Sequence, residues 1–274
     1  LRYKSYSNST YDFGIFAQMY EYMKQTGKMT TTVERNTLLS HFGVHFSPIF
    51  YIGLPIYMIF PSAITVQVIQ AIMVALPIIP IVLLCRHYKL SNWITVAVTL
   101  IYALYPATAG GTFYDIHENC FLTFFLLLTI YFVEKKKDIP AIICMLLVFL
   151  VKEDAAAYIM IVGAYFLFSR RDKKRGFIMI ILSAIYFVVA LSVVNSYGLG
   201  VLDDRFANLY ADPNGGLGQV FKTIITNPAY VIAQMISNTD ATGMDKIQYL
   251  LLMIVPMATM LFATGKKYSR YILM

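Results

Sequence analysis

Charge is scarce in this chain. Asp, Glu, Lys and Arg make up 14% of its 274 residues, against about 25% in soluble globular domains, too little to cover a core of this size with a water-facing surface. Cysteine is scarce as well. Cys85, Cys120 and Cys144 all lie within or at the ends of apolar stretches, which excludes a disulfide framework and makes them small hydrophobes. Missing altogether are an internal repeat, a GxGxxG turn and a P-loop, so nucleotide-driven chemistry has no footing.

What the chain has instead is apolar length. Hydrophobic residues reach 58% and the mean hydropathy is +0.64, values that belong to a bilayer. The net charge of +7 does not point to nucleic acid, because the basic residues stand in short clusters between apolar runs, where they orient a membrane protein. Those runs cover about 46 to 60, 63 to 85, 93 to 109, 119 to 133, 139 to 151, 155 to 169, 177 to 194 and 247 to 264. A run of fifteen residues gives roughly 22 Å of helix against a hydrocarbon core of roughly 30 Å. Helices that short draw their polar flanks toward membrane depth.

Four basic clusters set the orientation: Arg86 and Lys89; Lys135 to Lys137; Arg170, Arg171 and Lys173 to Arg175; and Lys266, Lys267 and Arg270. If all four are cytoplasmic, two crossings must separate each neighbouring pair, and the runs supply them. These stretches hold 13 of the 22 basic residues but only Glu134, Asp138 and Asp172 among the acids. Residues 139 to 169 read as two crossings, because a single helix would span roughly 46 Å with Lys152, Glu153 and Asp154 at its middle.

The expected fold is therefore all-α, a polytopic membrane helical bundle. An outer segment with interfacial helices occupies 1–62, six transmembrane helices occupy 63–194, a second outer segment occupies 195–246, and a transmembrane helix follows at 247–265. Within the second outer segment, residues 217 to 236 have an apolar face at helical spacing and predict one amphipathic surface helix. The chain opens on Leu1 without a leader and closes on apolar residues, which reads as a fragment of a longer membrane protein.

Polar side chains gather on the outer side. They are Tyr11-Asp12-Phe13-Gly14 with Gln18, His41 and His45, Tyr114-Asp115-Ile116-His117-Glu118, and Lys152-Glu153-Asp154. Each has a plain structural alternative. Asp12 can cap a short helix over 13–24. His41 and His45, four apart, would share a helix face and could bind a metal or simply pack. Asp115, His117 and Glu118 follow Gly110-Gly111, which reads as a polar loop. The three charges at 152 to 154 can pair with one another, yet they are costly beside the hydrocarbon unless paired or working.

These residues also carry a resemblance. Tyr11-Asp12-Phe13-Gly14-Ile15-Phe16 with Gln18, His45-Phe46-Ser47-Pro48-Ile49, the Asp115 and His117 loop, and Val151-Lys152-Glu153-Asp154 are similar to the hallmarks of a family of predicted bacterial and archaeal integral membrane proteins, a domain of unknown function. That family in turn resembles the GT-C superfamily of multi-spanning glycosyltransferases, which use polyprenyl-phosphate sugars as donors. The resemblance implies a GT-C-like, multi-pass protein of the cell membrane with outer-face juxtamembrane helices. Its partners would be a lipid-linked sugar donor and membrane lipids, and its reaction inverting transfer of a sugar to an acceptor on the outer face. Asp12 matches the superfamily's acidic residue in the first outer loop and would act as general base; the second acidic position falls on Asp115 or Glu118. Lys152 and Arg205 would meet the phosphate charge with His45 and His117 as further donors, and Glu153 and Asp154 complete the substrate-binding set. A divalent metal held by Asp12, Asp115 or Glu118 stays open.

The competing reading is a transporter or lipid-handling membrane protein without chemistry, its rim charges recognising cargo and the proline-broken segment 46 to 60 acting as gate. Transporters usually bind near the midplane, and here the helix interiors hold few ionisable residues. A scaffold role has no positive sign in the sequence.

Overall fold

Prolines and capping polar residues cut the apolar sequence into helices. The computed structural model describes residues 5, 10–113, 115–197, 207–209, 218–236 and 246–263, in two units, Leu1–Gly198 and Leu199–Met274. The first unit runs α1 Thr10–Thr26, the strands β1 Thr30–Thr31 and β2 Leu39–Ser40, then α2 Phe50–Ile59, α3 Ala63–Ala75, α4 Ile78–His87, α5 Asn92–Leu104, α6 Pro106–Phe113, α7 Leu122–Glu134, α8 Asp138–Phe149, α9 Ala155–Phe168 and α10 Lys173–Ser196. Ser62 Oγ accepts from the Ile64 N–H at 3.2 Å, Ser91 Oγ from Ile94 at 3.3 Å, and Asp172 Oδ1 from Arg175 at 3.3 Å. Each satisfies an orphan donor in the first turn of α3, α5 or α10.

Among the described residues two stretches are long and apolar enough to cross a membrane: Ala63–His87, 25 residues in which α3 passes into α4, and Lys173–Ser196, 24 residues. Each reaches roughly 36 Å, beyond the roughly 30 Å of hydrocarbon. The other apolar helices are shorter, as the run lengths implied. α5 buries none of its residues and leaves Trp93, Ile94, Leu100 and Leu104 exposed, a surface suited to lipid rather than water.

α8 and α9 are separate helices, broken across Leu150–Asp154. Between them and α7 and α10 the unit acquires two distinct ends. At one, Arg170 pairs with Glu134, Arg175 Nε donates to Asp138 Oδ1 at 2.6 Å, and His87 lies 3.8 Å from Glu134, tying the ends of α4, α7 and α9 to the starts of α8 and α10. At the other, the Ile49 N–H donates to the Leu150 carbonyl at 2.9 Å, joining the start of α2 to the break. Helices of 12 and 14 residues, α8 and α9, separate the two ends by about 20 Å. Alongside, α9 and α10 pack backbone to backbone: a Cβ on Gly176 would stand 2.6 Å from the Gly163 carbonyl oxygen.

Two expectations need correction. Gly110 and Gly111 lie inside α6 rather than in a polar loop, because helix hydrogen bonding is the cheapest way to satisfy backbone in an apolar setting. In the second unit, the single helix expected over 217–236 is two, α11 Gly218–Thr226 and α12 Pro228–Ile236. Pro228 lacks an N–H and restarts the helix at its first position, while Asn227 Oδ1 accepts from the Tyr230 N–H at 3.2 Å as the cap. A further apolar helix, α13 Lys246–Ala263, follows.

Candidate functional site

The polar end of the first unit is built on α1 and its hairpin. Gln18 Oε1 accepts from Thr31 Oγ1 at 2.7 Å and from the Thr32 N–H at 2.8 Å, and its Nε2 donates to Thr32 Oγ1 at 2.9 Å. This hallmark glutamine is thus a brace that ties the end of β1 to α1, and β1 in turn pairs with β2 (Thr30 opposite Ser40, Thr31 opposite Leu39). The hairpin delivers the chain into a 3₁₀ turn, His41–Gly43, in which the His45 N–H donates to the His41 carbonyl at 2.9 Å. Below lie Met19, Tyr20, Ile49, Phe50, Ile116 and Phe121, all fully buried.

On this platform the charged residues converge. His45 Nδ1 donates to Glu153 Oε1 at 2.8 Å, and the Phe46 N–H to Glu153 Oε2 at 3.0 Å. Glu118, 0% exposed, has its carboxylate 3.2 Å from Lys152 Nζ and 3.0 Å from His117 Nδ1. Both are ion-pair contacts rather than well-aligned hydrogen bonds. Asp115 Oδ2 accepts from the Phe13 N–H at 3.2 Å, and its carbonyl from Gln70 Nε2 at 3.3 Å. Four segments distant in sequence, around 12, 45, 115 and 153, meet here.

The electrostatics follow from burial against pairing. Burial alone would raise the Glu118 pKa, but His117, Lys152 and His45 outweigh it and hold the carboxyl well below its usual range. For His117 burial pushes down; contact with Glu118 more than reverses this and raises it, with the charge of Asp12 adding to the effect. Glu153 is likewise lowered, its burial overcome by His45 and by backbone N–H donors including that of Phe46. His41 is the exception. Burial takes it from 6.5 to about 4, and neither ring nitrogen has a hydrogen-bond partner; its neighbours are the rings of Phe16, Phe50 and His45.

Beside this cluster lies a cavity of about 790 Å³ with Gln70, Tyr102, Tyr105, Asp115, His117 and Asn119 in its wall. Of the two candidates for the second acid, Asp115 borders the cavity, whereas Glu118 is enclosed by cations. Asp12 sits in the first turn of α1 rather than as a cap before it, and the hydrogen bond from its neighbour Phe13 ties that turn to Asp115. Lys152 is buried and engaged by Glu118, so it does not stand clear to meet a phosphate. Asp154 is exposed at the start of α9 and its side chain caps nothing. Arg205 and Tyr114 lie outside the described residues.

Sequence reasoning missed Gln70, Tyr102, Tyr105 and Asn119, whose only signal is polarity inside or beside apolar runs. It also missed Glu34, a half-buried carboxyl in the hairpin loop whose pKa is raised first by burial and further by Asp12 and Glu118. Among the described residues no three His, Cys, Asp or Glu side chains are arranged to hold a metal ion.

A chain whose described residues are mostly helical, with lipid-suited surfaces and a buried charge cluster at one end of its first unit, is a helical membrane protein. Over residues 2–266 it matches the family described as Predicted membrane protein (DUF2079), and it belongs to that family. No curated protein and no solved structure matches it.

Proposed function

We propose that the chain is a multi-pass, GT-C-like glycosyltransferase of the cell membrane that moves a sugar from a polyprenyl-phosphate donor to an acceptor at the outer face. The observation that carries this reading is that Asp115 and His117 stand in the wall of one large cavity while Asp115 holds, through the Phe13 N–H, the α1 turn that carries Asp12, at the end opposite the basic turns. A lipid-phosphate sugar has its tail in the bilayer and its head at the interface, where such a cavity can hold both. The acceptor hydroxyl attacks the anomeric carbon, the carbon–oxygen bond to phosphate breaks, the hydroxyl proton passes to Asp12, and the configuration inverts. Asp115, rather than Glu118, is the second acid, and it fixes the first turn of α1 through Phe13. His117, whose protonated form Glu118 favours, supplies positive charge toward the leaving phosphate. Lys152, Glu118, Glu153 and His45 act as the frame that holds these groups, and Arg205 remains the proposed further phosphate cation.

The test uses the protein reconstituted in vesicles with membrane lipid donors, and mass spectrometry of the products. Asp12→Asn is expected to reduce transfer by at least a hundredfold while leaving the unfolding midpoint unchanged. Undiminished turnover would remove Asp12 from the reaction, and cargo that crosses the vesicle with its covalent structure intact would establish the transporter reading instead.

A further inference from the structure

At the opposite end of the first unit, where α7 turns into α8 and α9 into α10, lies a second cavity of about 400 Å³. Val133 and Phe166 contribute to its wall, and five basic side chains ring it against two acidic ones. The acids are already engaged: Arg170 holds Glu134, and Arg175 holds Asp172 at 2.7 Å and Asp138 at 2.6 Å. Three cations of the ring remain, Lys136, Arg171 and Lys173, and among the described residues they form no ion pair.

Their backbone placement is unusual. Lys136 at φ 56° and Arg171 at φ 55° occupy the left-handed region just past the ends of α7 and α9, a position where glycine is the common residue because any side chain is strained there. Lys173 opens α10, whose 24 residues direct the positive end of the helix dipole toward the same ring, Asp172 capping only the Arg175 N–H of the first turn. Exposed apolar side chains stand on either side in sequence, Ile139 after the first turn and Phe168 before the second, 75% and 69% exposed.

We propose that this pocket binds a phosphate group, and that the phosphate is the headgroup of an anionic membrane phospholipid whose acyl chains run along the apolar surface beside Ile139 and Phe168. Cations clustered at the cytoplasmic end of a helix bundle attract such headgroups, and the exposed Ile139 and Phe168 beside the two turns offer acyl chains an apolar surface that a free ion would not use.

The full chain in neutral detergent is titrated with phosphatidylglycerol, with phosphatidylcholine and with inorganic phosphate at matched ionic strength, and bound species are counted by native mass spectrometry. Phosphatidylglycerol is expected to bind and phosphatidylcholine not. The triple variant Lys136→Gln, Arg171→Gln, Lys173→Gln should bind phosphatidylglycerol roughly a hundredfold more weakly. A control triple variant, Lys135→Gln, Lys137→Gln, Lys174→Gln, removes the same charge from the same turns outside the pocket and should bind as the parent does. Equal loss in both triple variants would mean a diffuse charge effect and overturn the pocket. Inorganic phosphate binding as tightly as the lipid would overturn the headgroup assignment, and an unaltered first variant would overturn the proposal whole.

Discussion

Glu118 and His41 occupy the same buried neighbourhood and behave in opposite ways, because one is paired and the other is not. Replacing Glu118 by Gln strands the buried ammonium of Lys152 and should destabilise the protein by about 3 kcal/mol. Adding Lys152→Met should recover most of that loss, read as the unfolding midpoint in detergent; equal destabilisation in the single and double variants would mean that the pair contributes through shape alone. His41 has a folded pKa of about 4 against 6.5. Its neutral form is favoured in the fold, so its contribution is intact above pH 6.5 and is lost as pH falls from there through 4, by roughly 3 kcal/mol in all. His117 and Glu118 titrate with different signs. The raised pKa of His117 gives stability that is present below 6.5 and lost as pH rises through its folded value, while the lowered pKa of Glu118 gives stability lost only below about 4.5. His41→Phe keeps a ring between Phe16 and Phe50 and removes two unpartnered nitrogens. Its stability should therefore change little from pH 6.5 to 5, where the parent protein declines; a parallel decline would show that His41 is not the titrating group.

Among the elements, the contact between α9 and α10 is set by two glycines whose backbones approach too closely to admit a side chain. Gly176→Ala puts a methyl group 2.6 Å from the Gly163 carbonyl oxygen, closer than any ordinary contact, and should cost a few kcal/mol as the helices part. Gly27 is a contrast. It has φ +71° and open space around a hypothetical Cβ, so Gly27→Ala should cost only about 1 kcal/mol from backbone strain. Unfolding midpoints of the two variants check the pair, and similar losses would mean that packing does not limit α9 and α10. Which of these elements the sequence reveals follows from where the information lies. Lys152-Glu153-Asp154 reveals the break between α8 and α9 because charge is intolerable mid-membrane, and run lengths reveal that most helices are short. Gly110-Gly111 misleads because glycine loses its helix-breaking force where no water competes for the backbone, and 217 to 236 misleads because an unbroken apolar face hides the effect of Pro228. The site is legible as a set of residues and not as an arrangement. Nothing in the spacing of Glu118 and Lys152 foretells their ion pair, and Gln18, which reads as a member of the cluster, proves to hold the hairpin. Gln70 and Glu34 carry too little local signal to be singled out before their neighbours are known.

At the largest scale, the first unit has two unlike ends. Asp115, His117, Glu118, Lys152 and Glu153 lie together at one, beside the α1 turn that carries Asp12, and Glu134, Asp138, Arg170 and Arg175 interlock at the other. We propose that the second end, with its excess of lysine and arginine, faces the cytoplasm and the first the outer side, where the proposed reaction requires it. The direct measurement is labelling in intact cells with a membrane-impermeant maleimide, in a background where Cys85, Cys120 and Cys144 are replaced. Arg35→Cys, in the exposed hairpin loop near the acidic cluster, should label in intact cells, and Lys136→Cys only after the membrane is opened. Labelling of both from one side, or of Lys136→Cys alone from outside, would contradict the assignment of the two ends to opposite faces.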